Sequence, residues 1–133
     1  MARADGFELS VVTPEKVAFE SKAVSVVLPA HDGEMGILHN RAPLLVRLDV
    51  GSLRIETESG NETLYIDGGF AQMVDNKLTV LTEDSKSLDE LDAAAAREAL
   101  AAAQGLPSTD AIDRANRDKA IKRARVQLRL LGK

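Results

Sequence analysis

The feature that most constrains the fold of this 133-residue chain is a change of hydrophobic period near residue 84. Before it, Phe7, Leu9 and Val11 alternate with Glu8 and Ser10, and Leu53 and Ile55 alternate with Arg54 and Glu56. Leu78, Val80 and Leu81 sit around Thr79. A period of two places one face of a strand in a core and the other in water. Turn chemistry falls between the runs, at Thr13-Pro14-Glu15, His31-Asp32-Gly33, Val50-Gly51-Ser52, Ser59-Gly60-Asn61 and Asp75-Asn76. The pattern predicts strands near 7–12, 16–20, 23–28, 36–38, 44–48, 52–56, 62–66, 70–74 and 77–81. Many short strands with regular turns predict antiparallel sheets packed face to face.

After residue 84 the period becomes helical. Ser87 followed by Glu90 has the spacing of a capping box. Leu88, Leu91, Ala95, Ala99 and Ala102 then recur every three or four residues, as one helix face requires. Gly105 and Pro107 end that helix, and Ser108 or Thr109 is the expected cap of a second one running towards Leu131. A short loop between two helices makes them an antiparallel hairpin. The expected fold class is therefore β + α: an N-terminal antiparallel β-sandwich over 1–84 followed by a C-terminal two-helix hairpin over 85–133.

The hairpin's expected buried face is mostly alanine, which favours helix but buries little apolar area. In the second helix Ile121, Ala124, Leu128 and Leu131 make an apolar stripe, which meets Arg117 and Arg114 when extended backwards, so Ile112 and Ala115 must use another face. Strong helix formation with weak docking fits either a mobile element or a peripheral hairpin that is merely weakly packed.

Charge is unevenly spread. Of 17 basic and 21 acidic residues, eight basic and three acidic lie in 110–133, leaving nine and eighteen in 1–109. The tail is thus +5 and the body −9, which predicts a tail that meets an acidic surface. Lys122, Arg125 and Arg129, at i, i+3 and i+7, form a basic stripe beside the apolar one, the form of a partner-seeking amphipathic helix. The acidic body and an aromatic content of 3% argue against nucleic acid as the partner.

The chain offers little catalytic chemistry. It has no cysteine, so no disulfide framework, thiolate metal site or Cys nucleophile. Phosphate-binding glycine motifs and a G-x-S-x-G elbow are absent from the sequence. His31, Asp32, Glu34 and His39 fall within nine residues but match no metal-ligand rhythm. Gly68-Gly69 reads as a bulge or a close sheet contact rather than a ligand cradle. No metal or cofactor is expected. No apolar run is long enough for a membrane span, and Met1–Gly6 is too polar for a signal peptide, so the expectation is a protein without direct membrane insertion that stays in a bacterial cytoplasm.

From Phe7 to Leu131 the assembled pattern resembles the epsilon subunit of the F-type ATP synthase. The resemblance rests on Val11-Val12-Thr13-Pro14, on the run from Val27 to Leu38 leading to Arg41-Ala42-Pro43-Leu44-Leu45 and Gly51-Ser52-Leu53-Arg54-Ile55, and on Tyr65-Ile66-Asp67-Gly68-Gly69-Phe70-Ala71 before Leu78-Thr79-Val80-Leu81. It implies a non-catalytic rotor component, peripheral to the bacterial inner membrane, whose sandwich binds the gamma subunit and sits on the c-ring. It also implies a hairpin that extends towards the beta (and alpha) subunits and restrains ATP hydrolysis. By the resemblance, Asp32 and Glu34 belong to the ring-facing loop, and Lys122, Arg123, Arg125 and Arg129 meet acidic segments of the head. Two departures stand out. His39-Asn40-Arg41 replaces the family's Pro-Gly-His, a turn that survives because Asn tolerates the left-handed conformation. The family's ATP motif, Ile/Leu-Asp-x-x-Arg-Ala, is broken here by Ala95, and Arg97 points about 200° away from that position. The alternative class is a ligand-binding β-sandwich with a basic regulatory tail.

Overall fold

The computed structural model describes residues 6–133. These form β1 (Phe7–Val12), β2 (Val17–Ala23), β3 (Ser25–Ala30), β4 (Gly33–Leu38), β5 (Leu44–Thr57), β6 (Gly60–Val74), β7 (Lys77–Leu81) and β8 (Ser85–Ser87). A 3-10 turn, Leu88–Glu90, and two helices follow, α1 (Ala93–Gln104) and α2 (Ala111–Leu130). The chain divides into two compact units, one ending at Lys86 and the other spanning Ser87–Lys133.

The first unit is the β-sandwich. Its strands run in the order β2-β1-β7-β6-β5-β3-β4, with β8 beside β6. Neighbours along that order pair antiparallel, except β1 and β7, which are parallel. The core is aliphatic, as the sequence requires: Leu9, Val11, Val26, Leu28, Ile37, Leu53, Ile55, Ile66, Met73, Leu78 and Val80 are almost completely buried. Phe7 and Tyr65 are the buried aromatics. Each such aliphatic side chain contributes about 1.5–3 kcal/mol on leaving water.

Four expected strands are in fact two. The segments near 44–48 and 52–56 form the single 14-residue β5, and those near 62–66 and 70–74 form the 15-residue β6. The glycines between them serve close approach rather than reversal. A Cβ on Gly51 would lie 2.7 Å from the Pro29 side chain on β3, so glycine admits that proline against an unbroken strand. Gly68 and Gly69 take φ of +69° and +106° inside β6, and a Cβ on Gly69 would meet the Leu81 carbonyl oxygen at 1.8 Å. The Gly-Gly pair is thus a close sheet contact, as its composition suggested. Through these long strands, the first half of β5 lies on the β7 side of the sandwich and the second half pairs with β3.

The tight turns follow their residue chemistry. Asp75 and Asn76, at φ of +52° and +60°, make the left-handed two-residue turn between β6 and β7. Asn40 takes φ of +58°, so asparagine does adopt the conformation for which glycine is usual. Asn76 also fastens three segments. Its Oδ1 accepts from the Asn40 N–H at 2.7 Å, its Nδ2 donates to the Gly6 carbonyl at 2.9 Å, and its own carbonyl accepts from the Glu8 N–H at 3.2 Å. Asn76→Gly keeps the turn but removes both side-chain bonds, and should cost about 1–2 kcal/mol in urea denaturation. A change under 0.5 kcal/mol would show that the fastening adds nothing.

The second unit is the helical hairpin, in which α1 and α2 pack on each other. Its details correct the sequence expectation. Glu90 Oε1 accepts from both the Ser87 N–H (2.9 Å) and the Ser87 hydroxyl (3.2 Å), but this box closes the short 3-10 turn. Asp92 caps α1 by accepting from the Ala94 N–H at 2.9 Å. Asp110, not Ser108 or Thr109, caps α2 through the Asp113 N–H at 2.8 Å, while the Thr109 hydroxyl donates to the Asp113 carboxylate.

The buried face of α1 is Ala96 and Ala103, with Ala93 and Leu100 half-buried; Ala95, Ala99 and Ala102 are exposed. Eight of its twelve residues are alanine, so periodicity alone cannot fix the phase. Leu100, its one large apolar side chain, marks the true face. In α2 the expected stripe holds: Ala124 is buried and Ile121, Leu128 and Leu131 are half-buried. Ile112 and Ala115 stand in solvent. Val126 is buried too, off that stripe.

Candidate functional site

Three surfaces carry features that folding alone does not require. The first is on the outward face of the sandwich. Strand register sets Val17 beside Val12, Val12 beside Leu81, and Leu81 beside Phe70, with Arg47 next in the row. Val17, Leu81 and Phe70 are 55%, 52% and 50% exposed, and Val12 is half-buried. Four strands at about 4.8 Å spacing make this an apolar row about 14 Å long. An open groove of about 390 Å³ runs beside it, lined by Val12, Thr13, Pro14, Gly69, Phe70 and Leu81 with Thr82 and Glu83. Leu45, 68% exposed, extends the apolar surface one row away, beside Gln72. Most of these residues fall in expected strands, but their shared outward face is not among the sequence expectations. The signal was present in Val11-Val12 and Val80-Leu81, where consecutive apolar residues force one of each pair out of the core.

The second surface is the β3–β4 hairpin tip. His31 and Asp32 form the turn, Gly33 follows at φ of +133°, and Asp32 and Glu34 are both exposed. The Glu34 carboxylate is gripped by Arg54 of β5: Nη1 donates to Oε2 at 2.8 Å and Nη2 to Oε1 at 3.3 Å. Arg54 is the functional candidate that sequence reading missed, because its partner is twenty residues away and two strands over. His39 lies beyond the far end of β4, six residues and about 20 Å from the turn, so His31, Asp32, Glu34 and His39 do not converge. Among the described residues no group of three or more His, Cys, Asp or Glu side chains is placed to hold a metal ion.

The third surface is on α2. Lys122, Arg125 and Arg129 are exposed on one face. They line an open groove of about 520 Å³ with Gln104, Arg117, Asp118, Ile121 and Val126. Arg123 is half-buried and one step, about 100°, around the helix from Lys122. Two further cations serve the hairpin itself: Arg117 donates to the Gln104 carbonyl and Arg114 to the Ser108 carbonyl, both at 3.4 Å. Such contacts satisfy carbonyls at and beyond the end of α1. At the start of α1, Asp92 is occupied as a cap, Ala95 is exposed without a polar group, and Arg97 is exposed.

A sandwich with an apolar outward row and a charged tip, joined to a hairpin with a basic face, defines an interaction subunit. Residues 6–87 match the family described as the beta-sandwich domain of the ATP synthase delta/epsilon chain. The ATP synthase epsilon chain of Rhodopirellula baltica is 44% identical over 90% of this chain and 93% of its own length. That of Synechocystis is 35% identical over 92% and 93%. A chain in the cryo-EM structure of the Euglena gracilis mitochondrial ATP synthase superposes with a TM-score of 0.83 at 23% identity, covering 95% of this chain and 81% of that one. The chain therefore belongs to the ATP synthase delta/epsilon family, a family of non-catalytic subunits. Among the described residues no helix is long and apolar enough to cross a membrane.

Proposed function

We propose that this chain is the central-stalk subunit of a proton-translocating F-type ATP synthase, coupling the c-ring to the gamma subunit and restraining ATP hydrolysis through its hairpin. The observation that carries the reading is the apolar row Val17–Val12–Leu81–Phe70, four side chains on adjacent strands turned to solvent. A monomer gains nothing from exposing such a contiguous row, whereas a partner's apolar ridge seated on it would be desolvated along its length. In this reading the row grips gamma. Asp32 and Glu34 at the hairpin tip face the c-ring, and Lys122, Arg123, Arg125 and Arg129 approach acidic segments of the beta and alpha subunits. The acidic sandwich and basic α2 suit partners of different charge. The protein then sits peripherally on the cytoplasmic face of a bacterial inner membrane.

The test uses purified gamma. Phe70→Glu together with Leu81→Glu should weaken binding at least tenfold, because buried interface aromatics and aliphatics are each worth about 2 kcal/mol. The two glutamates would face each other across paired strands, so the variant should stay folded but lose about 1 kcal/mol, or about 4–8 °C in melting temperature. Undiminished binding by the folded variant would remove the row from the interface.

A further inference from the structure

The tip carboxylate is held by a residue that nothing in the local sequence points to. β5 stands two strands from β4, with β3 between, so Arg54 and Glu34 are separated by about 10 Å of sheet. Register sets Arg54 beside Val27 and Val27 beside Gly36. Gly36 contributes no side chain, and a Cβ there would meet nothing within 4 Å. Glu34 lies one same-face position further along β4, opposite Pro29, so the Arg54 side chain crosses β3 diagonally past Val27 to reach its carboxylate. Both carboxylate oxygens are then engaged by one guanidinium, a geometry only arginine supplies.

We infer that Arg54 is a positioning residue for the hairpin tip, and that the Glu34–Arg54 fork, rather than the Glu34 charge alone, is what this surface presents to the ring. The inference rests on the proposed function. With its carboxylate engaged by the fork, Glu34 acts as a rim for the turn, and Asp32 stands exposed beside it at the tip. The fork is half-exposed, with side chains 50% and 60% accessible, so it adds little to folding stability. Its effect belongs to recognition, where a pre-set geometry removes the ordering cost of binding.

The experiment measures affinity of the full chain for a purified gamma–c-ring subassembly. Glu34→Ala and Arg54→Ala should each weaken binding about two- to fivefold, and the double variant no further than either single. Arg54→Lys keeps the charge but loses the fork, and should resemble Arg54→Ala. The reversed pair, Glu34→Arg with Arg54→Glu, should recover binding to within about twofold of the parent chain, with melting temperatures unchanged throughout. Additive losses with no recovery in the reversed pair would mean that Glu34 reads the ring directly, and would overturn the inference. Full binding by Arg54→Ala would overturn it as well. Failure of the parent chain itself to bind the subassembly would sink the proposed function, and this inference with it.

Discussion

Replacing Gly69 by alanine is expected to remove a large share of the sandwich's stability. Two independent penalties act at this position. A φ of +106° is a conformation that side-chain-bearing residues rarely adopt, and holding one there costs about 1–3 kcal/mol. The added Cβ would also fall 1.8 Å from the Leu81 carbonyl oxygen and 2.9 Å from its carbon, and backbone on a paired strand has nowhere to move. Overpacking of this kind adds about 1–3 kcal/mol. Together these come to about 2–6 kcal/mol, a large share of the stability of a small domain, about 5–15 kcal/mol. Gly60→Ala is the control. Its φ of +141° is also positive, but nothing lies within 4 Å of the added atom, so the loss should be the backbone strain alone, about 1–3 kcal/mol. Comparable urea midpoints for the two variants would show that the contact with Leu81 does not constrain the fold.

The second large effect is expected from removing residues 87–133. The sandwich has its own aliphatic core, drawn from β1 to β7, so the shortened chain should still unfold in one cooperative transition. Under the proposed function it should also keep its affinity for gamma. What it should lose is most of the restraint on ATP hydrolysis in the assembled complex. Replacing Lys122, Arg123, Arg125 and Arg129 with alanine should relieve restraint in the same direction while assembly is retained. A truncated chain that cannot fold would make the hairpin part of the core. A folded one that restrains hydrolysis as strongly as the full chain would exclude the hairpin from regulation.

Much of the architecture is visible in residue periodicity. Alternation in Phe7–Val11 and in Leu53–Ile55 gives strands, and the turns at His31-Asp32 and Asp75-Asn76 stand where their chemistry predicts. Each misreading has its own physical origin. Gly51 looks like a turn residue because glycine relieves crowding as well as strain, and only the nearness of Pro29 reveals which is at work. The phase of α1 was misjudged because alanine carries almost no facial information, and Leu100 alone supplied it. Glu90 does bond back to Ser87, yet on a 3-10 turn, since a cap fixes a first turn and not a helix's length.

The sequence by itself determined where strand gives way to helix, that the core is aliphatic, and that basic charge gathers at the C-terminal end. These follow from backbone periodicity and composition, which act over neighbouring residues. Tertiary structure decided which apolar residues face outward together, and that Arg54 reaches Glu34 across an intervening strand. Those relations depend on register between segments far apart in the chain, and register is settled only when the whole sheet assembles.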